Sequence, residues 1–383
     1  MKPNPLFAGI SLMFAAAAAL PAAVIPAIES RMKAFVDSHE IAGAVTLVAG
    51  PDKVLHVSAT GMADIDQNQA MAEDSIFWIA SMTKPVTATA VMMMAEEGKL
   101  SVDDPVSKHL PEFARLKDGS GNPVSITIRQ CLNHSAGLSE VSGAETENIK
   151  TLAELMPAIL SKPVQFAPGT EWRYCQTGIN TAARIVEVVS GKSFPDFLDE
   201  RLFRPLGMKD TTFYPTKDQL PRIASTYLKG ADGKLEKTPI RFLGGKSLTD
   251  RNRYPLANGG LFSTAGDYLN FSRMILNQGS FGGKSYLKPE SVKLMTTVQS
   301  GDLKTGFLPG NAWGLGWCIV REPLDVTATL SPGTFGHGGV YGTQAWIDPV
   351  KQRIHLLFVQ RADFPNSDGS DVRRGFHEAY SQP

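Results

Sequence analysis

Apolar residues recur at helical spacing from 25 to 39, where Ile25, Ile28, Met32, Phe35 and Val36 fall on one face. Two short apolar runs, 44–49 and 54–57, flank Gly50-Pro51-Asp52 and read as a β-hairpin. From 81 to 254 the texture is mainly helical and broken by proline-containing loops, with helical spacing at 127–132, 151–160, 179–190 and 194–202. Gly259-Gly260-Leu261-Phe262-Ser263-Thr264 then leads into a helix that runs through Leu276. Strand patterns return at 313–320, 340–347 and 353–360. Strand-rich ends therefore bracket a helical middle. One antiparallel sheet built from both ends of the chain, flanked by helices and carrying an inserted all-helical lobe, accounts for that order. The expected class is α/β in the α+β sense. The expected lobes are 24–80 with 255–383, and 81–254, with an active site between them.

The stretch Phe77-Trp78-Ile79-Ala80-Ser81-Met82-Thr83-Lys84-Pro85 opens the helical middle. Proline lacks an N–H and is tolerated only in the first turn of a helix, so the helix begins close to Ser81. Free backbone N–H groups at such a start stabilise negative charge. Lys84 lies one turn on and shares a face with Ser81. Partly desolvated by Phe77, Trp78 and Met82, its ammonium is expected to have a lowered pKa and to take part in proton transfer. The pair reads as an activated nucleophile. A plain N-cap beside a solvated lysine is the competing reading, and partners elsewhere in the chain decide between them.

Composition narrows the functional classes. The chain has 383 residues, 43% hydrophobic and 20% charged, with 38 basic and 38 acidic side chains and a formal net charge of zero. Nucleic acid and anionic membrane are excluded as expected partners, since no long-range field gathers them. Cys131, Cys175 and Cys318 are too few and too scattered for a disulfide framework or a zinc site, and are expected as buried or free thiols. No metal or cofactor is implied. Lys2, the apolar run 6–20 and the small residues Pro21-Ala22-Ala23 form a signal-peptide pattern over 1–23. Export to the periplasm or medium, with no stable membrane insertion after cleavage, is the expectation.

Partners for Ser81 and Lys84 do occur downstream. Glu96-Glu97-Gly98-Lys99-Leu100-Ser101-Val102-Asp103-Asp104-Pro105-Val106 and Leu132-Asn133-His134-Ser135-Ala136-Gly137-Leu138 follow the S-x-x-K tetrapeptide. Tyr174-Cys175-Gln176 lies before a helix, and His337-Gly338-Gly339 lies in a glycine-rich strand. From about Ile25 onward the chain resembles the serine beta-lactamase and penicillin-binding protein superfamily, in its class C-like branch, which also holds carboxylesterases of the family VIII type and D-aminopeptidases. Sequences with S-x-x-K are known also from the related class A enzymes. The resemblance implies the beta-lactamase/transpeptidase-like fold, with Ser81 as nucleophile and Lys84 and Tyr174 sharing the proton transfer. It also implies an oxyanion hole from the backbone N–H groups of Ser81 and Val340, a device commonly worth several kcal/mol.

Two positions depart from the lactamase pattern. Gln176 stands where Y-x-N has asparagine, so the polar contact given to a substrate amide is altered. His337 replaces the lysine of K-T-G and is expected to be near half-charged around neutrality, which weakens the grip on a beta-lactam carboxylate. Gly338 and Gly339 are expected to let substrate backbone approach closely. Tyr174, facing cationic groups, is expected to favour its ionised form and to act as a base.

Other chemistries fail on spacing. No serine sits in G-x-S-x-G. Gly279-Ser280-Phe281-Gly282-Gly283-Lys284-Ser285 is one residue short of a phosphate loop and follows a helix, not a strand. The basic stretch 241–253 is expected as a solvated loop at the rim of the cleft, and Met92, Met93 and Met94 as core. The function expected is a serine hydrolase working through an acyl-enzyme on small carboxylic esters, with weak beta-lactamase activity. A D-amino-acid peptidase, a beta-lactamase proper and a penicillin-binding sensor without turnover use the same residues and stay open at this point, as do the natural substrate and oligomeric state.

Overall fold

The computed structural model describes residues 24–141, 143–243 and 245–381; the expected leader at 1–23 lies outside the described residues. In chain order the main sheet contains β1 (Gly43–Ala49), β2 (Val54–Asp64), β3 (Gln69–Ala70), β4 (Asn311–Trp313), β5 (Cys318–Val320), β6 (Phe335–Gly338), β7 (Gln344–Asp348) and β8 (Arg353–Phe358). Across the sheet the order is β4-β5-β6-β7-β8-β1-β2-β3, every pair antiparallel. The first strand of the chain thus pairs with the last, Val45 opposite Phe358 and Leu47 opposite Leu356.

All seven residues of β1 are buried, because helices cover both faces of the sheet at this point. Alternate residues explain how. Ala44 and Val48 face helices α1 (Pro26–Asp37) and α5 (Asp371–Ser381), packing with Ile28, Met32, Val372 and Phe376. Val45 and Leu47 face the other way, into the main core that includes Phe271 and Ile275 of helix α4 (Ala265–Leu276). The helical spacing read in 25–39 is therefore the face that seals the sheet.

Helix α2 (Thr83–Glu96) is enclosed on every side: each residue from Thr83 to Met94 is buried, the three methionines among them. A helix buried on every side belongs in the interior, and the polar side chains it carries there, Thr83, Lys84, Thr87 and Thr89, are each hydrogen-bonded. Helix α3 (Gln176–Ser190) packs against α2 and ends on Gly191 at φ +70°, a left-handed cap. The three cysteines are free and buried.

Three expectations change. The middle of the chain is not wholly helical, since Thr226–Lys229 pairs with Leu235–Thr238 in a hairpin whose turn places Gly233 at φ +81°. The single strand expected over 313–320 is two strands, β4 and β5. Gly314 donates to the Trp317 carbonyl at 2.8 Å and Gly316 takes φ +75°, so the chain doubles back between them. The strand expected from Val340 begins at Gln344, because Gly339 to Gly342 form a tight turn between β6 and β7, with Gly342 at φ +93°.

The Gly316 turn matters to the site, because it is pressed onto α2. A Cβ at Gly316 would lie 2.8 Å from the Ala88 Cβ and 3.0 Å from the Lys84 carbonyl oxygen. Left-handed strain and overpacking add at this position, so Gly316→Ala is expected to lower unfolding free energy by about 2 to 4 kcal/mol. Urea denaturation followed by tryptophan fluorescence measures it; an unchanged midpoint would contradict the packing described.

Candidate active site

Ser81 sits in a 3-10 turn, Ala80–Met82, that runs directly into α2. The residue before it, Ala80, has φ +46°, an uncommon conformation for a residue with a side chain. Such strain costs on the order of 1 kcal/mol and turns the chain sharply out of the Phe77–Trp78 strand. The Ser81 side chain is thereby presented at the start of the helix and not along it.

Lys84 is completely buried, and its Nζ donates to Ser81 Oγ at 2.9 Å and to the Asn258 carbonyl at 2.8 Å. The same nitrogen lies over the Tyr174 ring, 4.5 Å from its centroid. Burial is the main cause that lowers the Lys84 pKa, to about 7. The expectation of a depressed lysine beside a serine therefore has its physical cause in the enclosure of α2.

Tyr174 closes the site from the other side. His337 Nδ1 lies 2.7 Å from the Gly338 carbonyl, which can only accept, so that nitrogen carries the proton. His337 Nε2 is then a lone-pair acceptor, 3.4 Å from the Tyr174 hydroxyl. Behind them stands an aromatic wall. Tyr174 lies 4.5 Å from the His134 ring, 5.7 Å from Trp313 and 4.7 Å from Phe307. His134 Nδ1 accepts the Cys175 N–H at 3.1 Å, leaving its Nε2 buried without a partner among the described residues.

Two electrostatic expectations are corrected here. Burial pushes the Tyr174 phenol well above its ordinary pKa, against the smaller opposing effect of the Ser81 hydroxyl, so the phenol is neutral. Burial, with the nearby Lys84 charge, lowers His337 to about 3, so it too is neutral and not half-charged. Exposure to solvent, which the sequence does not display, decides both.

Gln176 opens α3, and its Oε1 accepts from Asn258 Nδ2 at 3.0 Å, while Asn258 Oδ1 accepts from Asn180 Nδ2 at 2.9 Å. Gly338 lines the cleft with Ser81, and at both Gly338 and Gly339 a side chain would meet the protein itself. A Cβ at Gly338 would lie 1.9 Å from Asp368 Oδ1, and one at Gly339 would lie 2.1 Å from Thr343 Oγ1. Their missing side chains make room for the protein itself. The backbone N–H groups of Ser81 and Val340 take no backbone hydrogen bond among the described residues, leaving them open to an oxyanion.

Ser81, Tyr174, Gln176, His337, Val340 and Asp368 line one cavity of about 460 Å³. A second cavity of about 590 Å³ adjoins it through Gln176, Phe242, Leu256 and Asn258. Phe242, exposed and stacked on Trp78 at 5.7 Å, stands between the two. The basic stretch 241–253 is thus at the rim as expected, except that Arg253 is buried, 4.8 Å over the Tyr214 ring. Sequence reading missed Asn258 and Asp368. Asn258 acts through its backbone carbonyl, which leaves no residue-type signal, and Asp368 is a lone acid in a loop.

Comparison with known proteins agrees with this geometry. Protein Rv1367c of Mycobacterium tuberculosis is 32% identical over 361 residues, covering 87% of this chain and 89% of its own. Esterase EstB of Burkholderia gladioli is 29% identical over 353 residues, covering 84% of this chain and 86% of its own. Among solved structures, EstCE1, described as a hydrolase with promiscuous acyltransferase activity, superposes with a TM-score of 0.80 at 25% identity, over 93% of this chain and 98% of its own. The model of the Beta-lactamase family matches residues 28–379. A match that takes in both ends of the sheet, α2 and the His337 strand identifies the chain as a member of the Beta-lactamase family.

Proposed function

We propose that this protein is a serine hydrolase that acts through an acyl-enzyme, with small carboxylic esters as its preferred substrates. The observation that carries the reading is the 2.9 Å contact between Ser81 Oγ and a wholly buried Lys84 Nζ. Near neutrality a large share of Lys84 is the free amine, which takes the Ser81 proton as the oxygen attacks the ester carbonyl. The backbone N–H groups of Ser81 and Val340 receive the oxyanion. The neutral Tyr174 phenol donates its proton to the departing alkoxide and is reprotonated by the Lys84 ammonium, so the proton count closes. Water then attacks the acyl-enzyme by the same route in reverse.

Three features favour esters over beta-lactams. His337 carries no charge to hold a lactam carboxylate. Gln176 commits its carbonyl oxygen to Asn258. Phe242, Phe307 and Val340 are exposed large apolar residues that line the cleft, which suits an uncharged acyl or alkyl group. Esterase EstB among the similar proteins supports the same choice. Export is part of the proposal, on the signal-peptide pattern at 1–23; no described helix is long and apolar enough to cross a membrane.

Ser81→Ala is expected to lower p-nitrophenyl butyrate turnover by about a thousandfold or more, with a chromogenic cephalosporin the poorer substrate of the wild type. Comparable ester turnover in the variant would sink the assignment of the nucleophile. Because Lys84 works as the free amine, kcat/KM should rise with pH through about 7 and level off above it, and Lys84→Arg should abolish that activity. Tyr174→Phe is expected to lower kcat by about a hundredfold or more while leaving the midpoint in place, since the phenol stays protonated throughout this range. A midpoint that moves with the tyrosine would assign it the base role instead.

A further inference from the structure

The cleft that holds Ser81 has one charged type of side chain on its wall, and it is acidic. Among its described lining residues there is no lysine or arginine; Asp368 is the ionisable carboxyl, and it lies on the loop 366–369 facing the His337 strand. The adjoining cavity differs, being lined by Glu140 and Glu147 together with Arg241, Lys246 and Arg253. The one carboxyl among the described residues of the catalytic cleft wall thus has no lysine or arginine beside it on that surface; burial raises its pKa above the ordinary carboxylate value, while Arg373 behind it and the Gln344 amide oppose that rise and favour the carboxylate.

The placement of Asp368 is built and not incidental. Its Oδ1 accepts from Gln344 Nε2 at 3.2 Å, and Gln344 Oε1 in turn accepts from Trp346 Nε1 at 2.9 Å. Its Oδ1 also fills the space that a side chain at position 338 would occupy. Arg373 stands behind it, fully buried, with Nη1 donating to the Asp368 carbonyl at 2.8 Å and the guanidinium 4.0 Å over Trp346. That guanidinium reaches Asp368 Oδ1 only at 3.9 Å, from the protein side. Asp368 Oδ2 takes no hydrogen bond among the described residues, and the side chain is 16% exposed. The cation thus faces the interior and the carboxylate faces the cleft.

We infer that Asp368 is a specificity residue of the cleft: it favours ester substrates whose group reaching the His337 strand carries a positive charge, and it disfavours those that carry a carboxylate there. The inference rests on the esterase reading for its chemistry and on the wall of the cleft for its direction. Charge-assisted contact to Oδ2 supplies the preference, and like-charge repulsion in a cavity of reduced dielectric supplies the rejection.

The test uses p-nitrophenyl esters of three acids of one chain length, ending in trimethylammonium, tert-butyl or carboxylate. The first two are close in shape and differ in charge. Wild-type kcat/KM is expected to fall in the order cationic, neutral, anionic, with a cation-to-anion ratio of about tenfold or more at low salt. Asp368→Asn should shrink that ratio to about twofold, and Asp368→Glu should keep its direction. A wild-type ratio near one, or one favouring the anion, overturns the inference whether or not the variants fold. So does a folded Asp368→Asn protein with an unaltered ratio. Titration of Ser81→Ala protein with the same esters, read by tryptophan fluorescence, separates the two claims. A cation preference in binding that is lost in Ser81→Ala/Asp368→Asn supports the role of Asp368 even where wild type turns over none of the esters, an outcome that defeats the esterase reading alone. Equal binding of all three esters overturns the role of Asp368.

Discussion

The structure is organised around one costly requirement, a lysine side chain kept out of water beside a serine hydroxyl. A lysine whose pKa falls from an ordinary value near 10.5 to about 7 works against the folded state on the order of 5 kcal/mol at pH below 7. The sign follows from linkage: the unfolded chain binds the proton more tightly, so this cost fades as pH rises from about 7 towards the unfolded value. Offsetting it takes a well-packed surround. Helix α2 is enclosed over twelve residues, Thr83 to Met94. The Gly316 turn lies on its backbone, the Asn258 carbonyl holds one ammonium hydrogen, and the Tyr174 ring lies over the charge. These contacts come from four separated parts of the chain, so the lowered pKa of Lys84 exists only in the assembled fold.

The same enclosure fixes the protonation of its neighbours. A site that desolvates Lys84 also desolvates Tyr174 and His337, and in each the neutral form is the one favoured. The phenol and the imidazole are thereby kept neutral beside an amine that exchanges its proton near pH 7. His337 offers Nε2 because its Nδ1–H is committed to Gly338, and the phenol proton has an acceptor on that side. In the proposed mechanism the division of labour between Lys84 as base and Tyr174 as proton donor follows from burial, without any ionised tyrosine.

Much of this was legible in the chain itself. Helical spacing at 25–39 and the strand runs at both ends pointed to one antiparallel sheet built from both ends of the chain, since one buried face is enough to set a period. Pro85 located the start of α2 because its ring has few tolerated places. Hidden features were of three kinds. Glycine turns at Gly314, Gly316 and Gly339 broke strands that a window of apolar residues joins. Backbone groups such as the Asn258 carbonyl have no residue-type signature. Ionisation at Tyr174 and His337 depends on how many atoms surround a group, and residue type says nothing of that. Tyr174 and His337 do line the cleft with Ser81, but with charges other than those expected from residue type.

Gly338 shows how far a motif can be read for the wrong reason. A glycine beside His337 invites the explanation that substrate passes close to its backbone, and the position does lack a side chain for a steric cause. The cause is the Asp368 carboxylate, whose oxygen occupies the place of the missing Cβ. Any larger residue at 338 would expel that carboxylate, and with it the partner of a fully buried Arg373. An unpaired buried guanidinium is expensive, so glycine at 338, aspartate at 368 and arginine at 373 are energetically coupled, and exchange of one changes the cost of the others. The charge of the cleft wall is therefore tied to the packing of the sheet behind it, through a residue that never touches substrate.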